Sequence, residues 1–301
     1  MAEHYIDAAT LMQTRSLELR AKGVVEGFLS GLHRSPYHGF SVEFSEYREY
    51  VAGDDPRYLD WKLYARSDRY YVKRFEDETN LRCYLLVDCS RSMSYGTLTY
   101  NKSEYARTLA ATLGYFLTLQ RDAVGLIRFD AEIEDYLPAR YRPGHLRRLM
   151  LALERPAEGR STDLSRPLEQ AAERLGKRGM LVLISDLLAP VTELQSRIGY
   201  FKARGHEVVL FQTLDPAERW LNFDQPTLFH DLESGREVYV DPAATRRDYQ
   251  RRLEAHLDQI RVICDCLGID YRLAVTDQPL EAALGEFLRS RARSVSRALR
   301  R

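Results

Sequence analysis

Leu81-Arg82-Cys83-Tyr84-Leu85-Leu86-Val87-Asp88-Cys89-Ser90-Arg91-Ser92 is the stretch whose reading decides the fold. A short apolar run closed by a polar turn is the pattern of a strand buried on both faces. Extended backbone sends alternate side chains to one side, so Asp88, Ser90 and Ser92 converge just past the strand's end. One carboxylate and two hydroxyls make a hard, oxygen-only group, suited to magnesium or manganese rather than zinc or copper. A turn with a helix N-cap is the plainer account of the same residues, since Asp and Ser favour both. Position argues against it: a β-type run precedes, a helical pattern follows, and two matching loops lie further along.

The first of those loops is Arg160-Ser161-Thr162-Asp163-Leu164, ahead of a helix-like segment with Ser165 as its expected cap and Pro167 in its first turn. The second closes another buried-strand run, Met180-Leu181-Val182-Leu183-Ile184-Ser185-Asp186. With all three in view, the chain resembles the von Willebrand factor A-type domain with its metal-ion-dependent adhesion site. That family draws Asp-x-Ser-x-Ser from the first strand, a Thr from a second loop and an Asp after a later strand. The resemblance implies a Mg²⁺ or Mn²⁺ site made of Asp88, Ser90, Ser92, Thr162 and Asp186. Ser161 and Asp163 flank Thr162 and stand open as exchanges for it.

Mg²⁺ asks for near-octahedral oxygen coordination and keeps several waters. Neutral Ser and Thr ligands quench little of its charge, so the cation stays electrophilic and a partner's Asp or Glu is the natural anion to complete its shell. This describes a docking site. Metal-assisted hydrolysis needs an activated water and a general acid or base. No His lies close in sequence to the three loops, and the chain lacks His-Glu-x-x-His, a Walker-type phosphate loop and Gly-x-Ser-x-Gly. A non-enzymatic role is expected, with a metal-dependent hydrolase and a structural domain without metal as the alternatives.

The 301 residues are 45% hydrophobic and 29% charged with zero formal net charge, an ordinary globular composition without overall pull toward nucleic acid or anionic membrane. Met1-Ala2-Glu3-His4-Tyr5-Ile6-Asp7 lacks the basic and apolar regions of a signal peptide, and no window reads as a membrane span. A cytoplasmic location is expected. Cys83, Cys89, Cys264 and Cys266 then read as reduced thiols, with Cys89 placed where oxidation would disturb the metal loop.

From Leu81 onward, strand and helix patterns alternate, which predicts an α/β domain over 81–301 with a mostly parallel central sheet and helices on both faces. The expected strands are Leu81 to Val87, Asp122 to Phe129, a short edge strand from Ile133 ending at Pro138, Met180 to Ser185, Glu207 to Phe211 and Ile269 to Ala274. All the site loops fall at carboxyl ends of strands, where open α/β sheets bind ligands. Between 215 and 241 the rhythm breaks, and Thr227–Leu232 with Glu237–Val240 reads as an inserted β-hairpin. A long helix from Pro242 to Leu267 follows. Residues 1–80 read as an N-terminal extension packed on the core: a helix over Leu11–His33, then a charged and aromatic segment. The Arg-rich end, 289–301, reads as the solvated face of a terminal helix.

That charged segment contains Gly53-Asp54-Asp55-Pro56-Arg57, Asp60-Trp61 and Ala65-Arg66. Ahead of an A-type domain, it resembles the signature of the bacterial family called domain of unknown function 58. The resemblance implies a metal-dependent adaptor or co-chaperone beside a MoxR-type AAA+ ATPase. The same charges also suit an ion-pair network of Arg48, Asp54, Asp55, Arg57, Asp60 and Arg66 that pins the segment down.

Overall fold

The computed structural model describes residues 5–34, 47–49, 71–73, 81–156, 159, 164–176, 178–231 and 235–298. Two units make up the chain: Met1–Arg34 with Leu81–Arg301, and Ser35–Asn80. In the second, β1 (Tyr47–Glu49) pairs antiparallel with β2 (Tyr71–Lys73), Arg48 opposite Val72. The rest of the charged signature lies outside the described residues.

The first unit opens with α1 (Ala8–Met12) and α2 (Leu17–Arg34). Next come β3 (Arg82–Asp88), a short 3-10 turn at Arg91–Ser94, and α3 (Lys102–Leu119). They are followed by β4 (Ala123–Phe129), β5 (Ile133–Arg140), α4 (His145–Glu154) and α5 (Ser165–Arg174). Then β6 (Met180–Ser185), α6 (Val191–Ala203), β7 (Glu207–Leu214) and α7 (Pro216–Trp220) lead to the hairpin β8 (Thr227–His230) and β9 (Glu237–Val240). The long α8 (Pro242–Leu267), β10 (Asp270–Val275) and α9 (Leu280–Ala298) complete the unit.

Six strands form one sheet in the order β10-β7-β6-β3-β4-β5. All neighbours are parallel except the edge strand β5, which runs antiparallel to β4. Alternation along β3 divides the core: Cys83, Leu85 and Val87 join one cluster with α2, α3, α4 and α9, while Leu86 joins the other with α5, α6 and α8. The expected α/β class, with a mostly parallel sheet covered on both faces, is therefore what the chain adopts.

Leu17, Ala21, Val24 and Val25 form the buried stripe of α2 and pack toward α3, so α2 belongs to the α/β unit. Several boundaries differ from the sequence reading: the single helix expected over Leu11–His33 is two helices, α1 and α2, and β7 runs past Phe211 to Leu214. The edge strand runs through Pro138 to Arg140, because proline lacks only a donor and an edge strand has a side where none is needed. Ser165 is the first helical residue of α5 and not its cap, and Leu164 stands before it without a side-chain capping bond. The hairpin pairs as expected, Thr227 opposite Val240 and His230 opposite Glu237. Among the described residues no helix is long and apolar enough to cross a membrane. At the far end, Arg291 of the arginine-rich helix reaches the buried Asp122 at 2.8 Å, so that arginine is structural.

Candidate metal centre

Asp88 ends the central strand, and Ser185 ends its parallel neighbour β6, where Val87 pairs with Ile184. The ladder continues one residue further on the other side, as Cys89 N–H donates to Phe129 O at 2.7 Å. Buried Arg128 braces this corner: it pairs with Asp135 at 3.0 Å, donates to Ala152 O at 2.9 Å and touches Cys89 Sγ at 3.4 Å. The chain then turns into the 3-10 helix with Ser90 at its N-cap.

Asp88 is buried and held by two neutral donors. Ser90 N–H donates to Oδ1 at 2.8 Å, and Ser185 Oγ–H donates to Oδ2 at 2.5 Å. Burial pushes its carboxyl up to about 6; the nearby Asp186 charge pushes the same way, and the two hydrogen-bond donors only partly oppose them. Ser90 Oγ and Ser92 Oγ lie 3.2 Å apart. They border two cavities: Ser92 lines one of about 370 Å³ with Tyr95, Leu188, Glu218 and Phe229, and Ser90 lines one of about 590 Å³ with Arg91, Arg107 and Glu154.

Asp186 follows β6 in a tightly fixed loop. Its backbone carbonyl accepts from Gln212 Nε2 at 2.8 Å, and its Oδ1 accepts from Leu188 N–H at 3.3 Å. Between them, Leu187 takes a left-handed conformation with φ of 53°, unusual for a branched residue. Ser185 Oγ accepts the Leu187 N–H at 3.1 Å, and His256 Nε2 lies 3.1 Å from the Leu187 carbonyl oxygen. The strain thus has identifiable restraints on both sides.

Four of the five expected ligands are described, and they follow the ends of two adjoining parallel strands: Asp88, Ser90 and Ser92 at the end of β3, Asp186 at the end of β6. Thr162, with Ser161 and Asp163, lies outside the described residues. The donor chemistry fits a hard dication, since every candidate ligand atom is oxygen and Asp88 sits where added positive charge is favourable. Among the described residues no group of three His, Cys, Asp or Glu side chains forms a metal cluster.

Sequence reasoning missed two participants. Lys102, the first residue of α3, is fully buried and places Nζ 2.9 Å from Asp186 Oδ2 and 2.6 Å from Glu218 Oε1. Burial alone would lower its pKa, yet Asp186 and Glu218 together raise it, so it is held as an ammonium. Glu218 itself is pushed up by burial against the pull of Lys102. It lies on α7, whose cap Asp215 accepts from Ala217 N–H at 2.8 Å and clamps Thr97 through that residue's hydroxyl at 2.6 Å and N–H at 2.9 Å. The capping pattern Asp215-Pro216-Ala217-Glu218 is a signal of a helix start that the sequence reading passed over, taking 215–241 only as a break in rhythm. Nothing in Asn101-Lys102-Ser103-Glu104 marked a lysine aimed inward.

Comparison with known proteins gives relatives along nearly the whole chain. It is 32% identical over 286 residues to the uncharacterized proteins Rv1480 of Mycobacterium tuberculosis and Mb1516 of Mycobacterium bovis, covering 93% of this chain and 89% of each relative. Among solved structures, the conserved hypothetical protein BatB from Bacteroides thetaiotaomicron aligns at 14% identity and a TM-score of 0.48, over 70% of this chain and 99% of that one. An aerotolerance-related membrane protein from Bacteroides fragilis aligns at 14% identity and 0.44, over 68% and 97%. Likeness that distant says nothing about activity. The family described as "Protein of unknown function DUF58" matches residues 46–259.

Proposed function

We propose that this chain, which belongs to the DUF58 family, is a von Willebrand factor A-like interaction module that docks a partner's carboxylate on a bound Mg²⁺ or Mn²⁺. One observation carries the proposal: Asp88 is buried beside Asp186 at adjoining parallel strand ends, with neutral donors on its own oxygens. Two carboxylates withdrawn from water at one point, with the Lys102 ammonium paired to Asp186 and Glu218 but not to Asp88, are costly until further cationic charge joins them. Ser90 and Ser92 add hydroxyl oxygens on the cavity side, and Thr162 joins the set by the resemblance already described.

A bound cation would supply an electrophilic, partly hydrated centre with room for a visiting acid. The chain's own work is to hold the oxygens and keep most of the site dry. Ser185 and the Ser90 amide fix the Asp88 carboxylate, while Gln212 and the Leu188 amide fix the Asp186 loop.

The partner we propose is a MoxR-type AAA+ ATPase, with this chain as its cytoplasmic adaptor or co-chaperone; the Gly53–Arg57 and Asp60-Trp61 signature supports that choice. Affinity capture of such an ATPase by the full chain tests it. Retention is expected to fall on EDTA addition and with Asp88→Ala, while circular dichroism stays unchanged. Retention indifferent to both treatments would remove the proposal.

A further inference from the structure

We infer that Lys102 is a built-in counter-cation that competes with a divalent metal for Asp186, so that metal binding hands the ammonium over to Glu218. The inference rests on the metal reading above and adds a residue that reading does not assign. Lys102 and Asp186 are both completely buried, and their 2.9 Å contact occupies a carboxylate oxygen that a metal would need. A lysine taken wholly out of water persists only where it is paired, and here it has two acids.

The surroundings leave the ammonium little room. The Asn101–Glu104 capping box fixes the start of α3, and Lys102 N–H donates to Tyr95 O at 3.0 Å. The Tyr95 ring also stands 5.9 Å from Nζ. Glu218 is equally fixed, because its second oxygen accepts the Asp215 N–H at 2.9 Å. Its 2.6 Å contact to Nζ is the shorter of the two and supplies a place for the ammonium once Asp186 turns to a metal.

The charge balance points the same way. Asp186 and Glu218 share the one ammonium and Asp88 lies beside Asp186 without a cation of its own, so the pocket accepts further positive charge. A dication and an ammonium on the same carboxylate nevertheless repel each other strongly at these distances. Metal affinity is therefore set below what the oxygens alone would give. Occupancy is also coupled, through Glu218, to α7 and to the Thr97 loop that Asp215 clamps.

Calorimetric titration with MgCl₂ at constant ionic strength tests this on the full chain. Lys102→Met keeps the stem and removes the charge, and Mg²⁺ affinity should rise by about tenfold or more. Glu218→Gln leaves the ammonium with Asp186 alone, and affinity should fall by a comparable factor. Weaker or unchanged binding by Lys102→Met overturns the inference, since the lysine would then be positioning Asp186 for the metal. If Lys102→Met does not fold, Glu218→Gln decides: unchanged or tighter binding overturns it. Saturable heat in Lys102→Met but not in the natural chain would uphold the lysine's role while removing the metal reading for the natural chain. No saturable heat in either would remove both.

Discussion

At Asp88 the chain keeps a carboxylate where the folded state disfavours its charge. Its pKa is raised to about 6 from an ordinary value of 3.8, with burial first among the causes and Asp186 second. Between those two pH values the folded state binds more protons than the unfolded one, so stability falls as pH rises through this window, and above it the full cost is present. Asp88→Asn, read without metal at pH 7.5, should therefore stabilise the fold by about 1–3 kcal/mol. In urea denaturation the gap between variant and natural chain should close as pH falls from 6 to 4. A natural chain that proves more stable than the variant at pH 7.5 would contradict this account of Asp88. Asp88, Ser90, Ser92 and Asp186 were legible because strand ends announce themselves through an apolar run followed by oxygen side chains. Lys102 was not, because its partner lies 84 residues away and a lysine in a first helical turn ordinarily faces water.

Elements show where local pattern was enough. The buried runs of β3, β4, β6 and β7 have no polar face to confuse their period, and their parallel pairing followed from the helices between them. Pro138 misled the reading of β5, since a proline stops a central strand but not an edge. Close approach was also hidden: Gly125 pairs with Tyr84, and a Cβ there would lie 2.6 Å from two ring carbons and 2.8 Å from Ala139 N. Gly125→Ala should cost about 1–3 kcal/mol in urea denaturation, and an unchanged midpoint would show that the ring gives way freely. Asp215→Ala removes the α7 cap and strands the Thr97 amide, and should cost about 2–4 kcal/mol. Thr97→Val, which loses only the hydroxyl contact, should cost less than Asp215→Ala, and the reverse order would contradict the capping argument.

Across the whole molecule, the strand–helix rhythm fixed the fold class while the distribution of buried charge stayed out of sight. Thiol chemistry provides one global check. Cys83, Cys89 and Cys264 are buried and Cys266 is exposed. Burial pushes Cys89 up to about 11 and Cys264 up to about 12, so neither supplies thiolate near neutrality. A chromogenic disulfide reagent should titrate Cys266 quickly in the folded chain and the other three only after unfolding. Fast reaction of Cys89 would mean that the loop after β3 opens readily and that the site is less fixed than described. The most direct measurement is calorimetric titration of Mg²⁺ into the natural chain and into Asp88→Asn, a variant expected to keep the fold. Saturable one-site heat in the natural chain, absent from the variant, is the predicted result; equal heat in both, or none in the natural chain, would contradict the metal centre.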